Sequence, residues 1–163
     1  MKYLFICSVL LVFYFHTTAQ NVMYPNIDSI QLVKIKKFES IGIPIFFLTA
    51  EVGYDAIGTP EIKLIPKNIS KKDIDAYTVQ IYCYNNYNEP VNDQLKNTNI
   101  FTGTSQDILK AGKTVSFNDS WTLYGYDNTT KVKVYLKKVH FTDGTLWVPK
   151  DKKITLVEGK ANR

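Results

Sequence analysis

Tyr77-Thr78-Val79-Gln80-Ile81-Tyr82-Cys83-Tyr84 is the stretch that decides how this chain folds. Successive side chains of a strand point to opposite faces. Tyr77, Val79, Ile81 and Cys83 therefore form an apolar face, and Thr78, Gln80, Tyr82 and Tyr84 the other. Lys131–Leu136 repeats the pattern, with Val132, Val134 and Leu136 inward. Val139 and Phe141 fall on the opposite parity, and a bulge near Lys137-Lys138 restores the phase. Similar runs of branched and aromatic residues, divided by Gly, Pro, Asn and Asp, predict strands at Gln31–Glu39, Ile45–Tyr54, Glu61–Pro66, Ala76–Tyr84, Asn99–Thr104, Thr114–Tyr124, Lys131–Thr142, Thr145–Val148 and Lys153–Val157. Helical period is nearly absent, with one turn expected over Ser105–Lys110. Strand spacing of this kind predicts an all-β, antiparallel β-sandwich.

Asp143-Gly144 is the sharpest turn signal, because a two-residue type I′ hairpin needs positive φ at both centres. That turn pairs Phe141 with Leu146 facing the core, and His140 with Trp147 on the outer face.

Outward from this core, Lys2, the apolar run Tyr3–Phe15 and the small residues Thr17 and Ala19 have the form of an export signal cut after Ala19. The expected localisation is periplasmic or extracellular. No later apolar run is long enough to span a bilayer. Of the two cysteines, Cys7 leaves with the signal, and Cys83 remains alone. The formal net charge of +5 is spread among acids rather than gathered on one face, so it reads as solvation and not as a nucleic-acid footprint. Residues 20–44 form an N-terminal extension with one strand, residues 45–157 the domain, and residues 158–163 a polar tail.

Motifs that carry chemistry are incomplete. Ala111-Gly112-Lys113-Thr114 lacks the earlier glycine of a phosphate loop, since position 107 is Asp. Gly103-Thr104-Ser105-Gln106-Asp107 lacks the closing glycine of a nucleophile elbow. Cys83 faces inward and His140 outward, which separates the one thiol from the one imidazole of the exported chain. Asn118-Asp119 and Asp127-Asn128 could offer oxygen ligands, but no calcium-loop spacing surrounds them, and turns use the same residues for their own hydrogen bonds. Asn68-Ile69-Ser70, Asn118-Asp119-Ser120 and Asn128-Thr129-Thr130 match the glycosylation pattern, but the Lys-, Asn- and Tyr-rich composition suggests a bacterium, where such matches are read as turns. The expectation is no enzyme, no catalytic residue, no cofactor and no metal.

Lys67-Asn68-Ile69-Ser70, Ile74–Asn85, Glu89-Pro90-Val91, Gly112-Lys113-Thr114, Trp121 and Lys131–Trp147 resemble an uncharacterised family of secreted bacterial domains, itself similar to the FxLYD-type immunoglobulin-like sandwiches. The likeness runs from about Ala50 to Val148. It implies an immunoglobulin-like fold over residues 45–157 and an envelope or extracellular setting, and brings no catalytic residues with it.

Tyr82, Tyr84, Tyr87, Tyr124, Tyr126, His140 and Trp147 are the candidate binding patch. Exposed aromatics stack on sugars or anchor a protein at little entropic cost. The expected role is a secreted binding module whose partner is a protein or a carbohydrate. Two other classes compete: a small hydrolase or metal-dependent enzyme using loop carboxylates, and a structural component joining partners through a strand edge.

Overall fold

The computed structural model describes residues 26–115, 119–150 and 154–161. In chain order these form α1 (Ser29–Ser40), β1 (Ile45–Tyr54), β2 (Pro60–Asn68), β3 (Ile74–Tyr84), β4 (Ile100–Ser105), β5 (Asp119–Thr122), β6 (Lys131–Phe141), β7 (Leu146–Trp147) and β8 (Val157–Ala161). The strands make one mixed sheet in the order β4-β3-β6-β8-β1-β2-β5, with β7 added to β6. All named pairs are antiparallel except β1 with β8. The sheet curls until its two edges nearly meet. Ser105 at the end of β4 donates to Asp119 Oδ1 of β5 at 3.1 Å, and Gly103 leaves room for Trp121, which a Cβ there would meet at 2.8 Å.

The core follows the alternation. Val79, Ile81, Cys83, Val132, Val134 and Val139 are completely or almost completely buried, joined by Phe47, Ile62 and Leu64 from β1 and β2. Phe47 and Tyr77 rings lie 6.1 Å apart across the interior. The bulge expected near Lys137-Lys138 is present: Thr78 pairs with Lys138 and Val79 with Leu136, leaving Lys137 as the extra residue. One inserted residue returns Val139 and Phe141 to the inner face.

Four local expectations are corrected. The first concerns Gln31–Glu39, which is helical rather than extended. Asp28 Oδ1 accepts from the Gln31 N–H at 2.7 Å while Gln31 Oε1 accepts from the Asp28 N–H at 3.1 Å. That reciprocal capping box starts α1. Gly42, at φ +74, ends it: its N–H donates to Glu39 O and that of Ile43 to Phe38 O, the two bonds of a Schellman motif. Ile35 and Phe38 are the buried stripe. Branched residues set the expectation of a strand, and the caps overrule them.

The second is the hairpin. Val139 pairs with Trp147 and His140 with Leu146, one residue off the expected register. Phe141 O accepts from Gly144 N–H, and the Phe141 N–H donates to Thr145 O. Gly144 has φ +82, and Asp143 is absent from the positive-φ residues. The connection is thus a three-residue loop with one left-handed glycine, not a type I′ turn. Asp143 Oδ1 instead accepts from both the N–H and the hydroxyl of Thr145, which holds the longer loop. Leu146 is 60% exposed, and Trp147 is half-buried on the inner side.

The third is the C-terminal region. The strand expected over Lys153–Val157 is found at Val157–Ala161, so residues 158–161 of the supposed polar tail belong to the sheet. Gly159 and Ala161 are its inward residues. A Cβ at Gly159 would meet Ala50 O at 2.8 Å and Val132 Cγ2 at 2.9 Å. Burial without apolar bulk hides such a strand from a hydrophobic pattern.

The last covers residues 105–124. Residues 106–108 have no regular structure and Leu109 bridges to Ile74, so Ser105–Lys110 makes no helical turn. Only Asp119–Thr122 of the expected Thr114–Tyr124 strand is a named strand, with Thr114 in a single bridge to Lys67. Residues 116–118 lie outside the described residues.

Candidate interaction face

Register across three strands turns the outward residues into rows. Tyr84 pairs with Lys131 and Lys131 with Lys160. Tyr82 pairs with Lys133 and Lys133 with Glu158, and Gln80 pairs with Tyr135. Two residues along each strand separate one row from the next, about 6.5 Å. The result is a column of tyrosines on β3 beside a column of cations on β6. Tyr82 and Tyr135 rings stand edge to face at 4.8 Å, and Lys133 Nζ lies 5.9 Å from the Tyr84 ring centroid. Stems of lysine cover aromatic surface while their ammonium groups stay in water.

The loop after β3 completes this face. Asn85 Oδ1 accepts from the N–H groups of Tyr87 and Glu89, and Asn88 takes a left-handed conformation at φ 64. Asparagine tolerates that region better than most residues. The turn aims Asn88 Oδ1 and Asn86 O at Lys131 Nζ, which donates to them at 2.8 and 3.0 Å. A shallow cleft of about 340 Å³ results, lined by Tyr84, Asn88, Lys131, Lys133, Glu158 and Lys160, with Val132 and Gly159 at its floor.

The structure brings Tyr82 and Tyr84 together and disperses the other candidate residues. Tyr87 is 83% exposed at the tip of the loop. Tyr124 is exposed beyond β5. Tyr126 is corrected from the patch to the core: it is buried, its hydroxyl donates to Ile100 O at 2.8 Å, and it packs against Phe101. A satisfied hydroxyl lets a tyrosine serve as core. His140 stays outside but pairs with Ala76, four rows from Tyr84, with Nδ1 2.6 Å from Asp75 Oδ1. Trp147, corrected to the inner side by the hairpin register, walls a separate apolar groove with Ile41, Ile43, Leu136 and Leu156. Tyr135, Lys131, Lys133 and Lys160 were missed as site residues. The parity that puts Val132 and Val134 inward already placed Lys131, Lys133 and Tyr135 outward.

Groups capable of nucleophilic chemistry stand apart. Cys83 is buried, and burial pushes its thiol up to about 12, against a weaker opposing hydrogen bond from Thr129. No thiolate forms there near neutral pH. Ser105 points inward to Asp119, whose carboxyl is raised to about 6 by burial. Asn68, first of the glycosylation-type asparagines, is buried, and its amide donates to Lys72 O and Leu109 O. Among the described residues no group of three or more His, Cys, Asp or Glu side chains could hold a metal ion. No described helix is long and apolar enough to cross a membrane.

Fold and face together define a small, mostly β domain that presents an aromatic, lysine-bearing surface. The chain belongs to a family of unknown function, DUF5780, whose model matches residues 61–154. It is similar in fold to the crystal structure of a hypothetical protein from Peptoclostridium difficile 630, with a TM-score of 0.51 and 15% identity over 67% of this chain and 88% of that one. No curated protein matches it. The family match takes in β3 and β6 but ends before β8, which carries Lys160 and Glu158.

Proposed function

We propose that this chain is an exported, non-catalytic binding module of immunoglobulin-like build, and that the outer face of β3, β6 and β8 is its working surface. The observation that carries the reading is the row arrangement, which sets the half-buried Tyr82, Tyr84 and Tyr135 among lysines on the outer face of a regular part of the sheet. Cleavage after Ala19 is supported by the apolar run Tyr3–Phe15 and the small residues before Gln20. The immunoglobulin-like description is supported by the narrowness of the β1–β8 seam, which leaves the sheet nearly divided in two, while the FxLYD likeness rests on the sequence resemblance alone. Among the described residues, the β1–β8 ladder between β4-β3-β6-β8 and β1-β2-β5 has two pairs, Glu51–Lys160 and Val52–Ala161. A non-catalytic role is supported by the separation of Cys83, Ser105 and His140.

Two measurements test it. N-terminal sequencing of the protein from its native host should begin at Gln20, and an intact Met1 start on the processed protein sinks the export reading. The purified domain should be retained by isolated cell envelopes, and Tyr82→Ala with Tyr84→Ala should abolish retention while His140→Ala leaves it intact. Retention indifferent to both tyrosines removes this face from the function.

A further inference from the structure

We infer that the Tyr84 cleft binds an acidic sugar, a pyranose carrying a carboxylate or a phosphate. The inference rests on the binding-module reading and names the ligand class for the same face. Three lysines and one glutamate line the cleft, so it carries an excess of positive charge. Lys131 and Lys160 are partners in the ladder, about 5 Å apart across the strands, close enough to share one anionic group. Lys131 is held in place by Asn86 O and Asn88 Oδ1, which leaves it oriented before a ligand arrives. Lys160 makes no ion pair among the described residues. Lys133 is partly neutralised by Glu158 at 3.5 Å.

The rest of the lining selects for a sugar. Tyr84 offers a ring wall on which the C–H face of a pyranose lies, because an aromatic face is electron-rich and a C–H bond carries a small positive charge. Glu158 and Asn88 Oδ1 are acceptors suited to ring hydroxyls. A peptide strand has nothing to pair with at this place, since β6 is hydrogen-bonded to β3 on one side and to β8 on the other over residues 131–134. An extended peptide needs a free edge. A nucleic acid needs a broad basic stripe, and here Glu158 interrupts the cations while Glu51 stands beyond Lys160 in the same row.

The test is calorimetric titration of the folded domain with oligogalacturonate and with glucose 1-phosphate, against neutral malto-oligosaccharide and single-stranded oligothymidylate. At least one of the two acidic sugars should bind while the neutral one does not, and whichever binds more tightly identifies carboxylate or phosphate as the anionic group. Tyr84→Ala should weaken binding about tenfold through loss of the ring wall. Lys160→Gln should weaken it about threefold, an effect that shrinks as salt is added. Tyr87→Ala, outside the cleft, should leave it unchanged, and circular dichroism of each variant shows that the fold is kept. Equal binding of neutral and acidic sugars, tighter binding of oligothymidylate, or acidic-sugar binding insensitive to Tyr84→Ala overturns the inference. If envelopes retain the domain through Tyr82 and Tyr84 while both acidic sugars fail to bind, the ligand class is wrong and the binding-module reading survives.

Discussion

Strands β3 and β6 are each 11 residues long, whereas β7 has two residues and β8 has five. Over the long pair, alternate burial of Val79, Ile81, Cys83, Val132 and Val134 leaves one register that hides the apolar set, and even the Lys137 bulge follows from it. A slip of one residue would expose every core side chain at once. Over β7 no such penalty exists, and a one-residue difference in loop length decides whether Leu146 or Trp147 faces inward. Register is thus a collective property of long half-buried strands and a local property of turns in short ones.

Substitutions can break this contrast, and the largest effect is expected in the long pair. Ile81→Ala, at a completely buried site on β3, should cost about 2–5 kcal/mol in a denaturant melt. A loss as small as that of a surface change would mean the ladder is not the centre of the core. Gly159→Ala should cost about 1–3 kcal/mol, because the new methyl meets Ala50 O and Val132 and pushes β8 from its neighbours. Stability unchanged in that variant would show that β8 is not wedged between β1 and β6.

Gly144→Val should cost about 1–2 kcal/mol, the strain of one branched residue at positive φ. A far larger loss would favour a turn that needs two such residues, and with it the tighter register. Leu146→Lys sharpens the same point from the other side. An exposed Leu146 predicts a change within about 0.5 kcal/mol, while a core Leu146 would make the variant severely unstable.

A pH slope tests the sheet edge at β5 rather than the long pair. Asp119 has its folded pKa raised to about 6 from 3.8, by burial. The folded state therefore holds a proton that the unfolded state has released between these values, and stability falls as pH rises from about 4 to 6. Asp119→Asn should flatten that part of the profile and raise stability at neutral pH. Asp73, Asp93 and Asp143 have lowered pKa values from hydrogen bonds, so their contributions are lost only on further acidification, below the ordinary carboxylate value. A slope that persists in Asp119→Asn assigns the titration elsewhere.

What the sequence alone determined was the pleat. The predominance of strands, the inner and outer sets of β3 and β6, the bulge and the burial of Cys83 all follow from two-residue alternation, which is local and periodic, whereas the single mixed sheet in place of an antiparallel sandwich does not. The β3 and β6 part of the eventual face was legible on the same grounds, since Tyr82, Tyr84, Lys131, Lys133 and Tyr135 are outward by parity. The helix was also legible, through Asp28, Gln31 and Gly42, but its capping signals are three isolated residues set against a longer branched run. The tertiary structure alone decided the rest. Tyr126 is core because Ile100 O accepts from its hydroxyl, and β8 is a strand because it lies between β1 and β6 where Gly159 leaves no room for a side chain. Lys160 joins Tyr84 through the ladder partners of β6, from a position 76 residues away in the chain. Contacts of that range leave no periodic trace in the sequence, because each depends on what another strand places opposite.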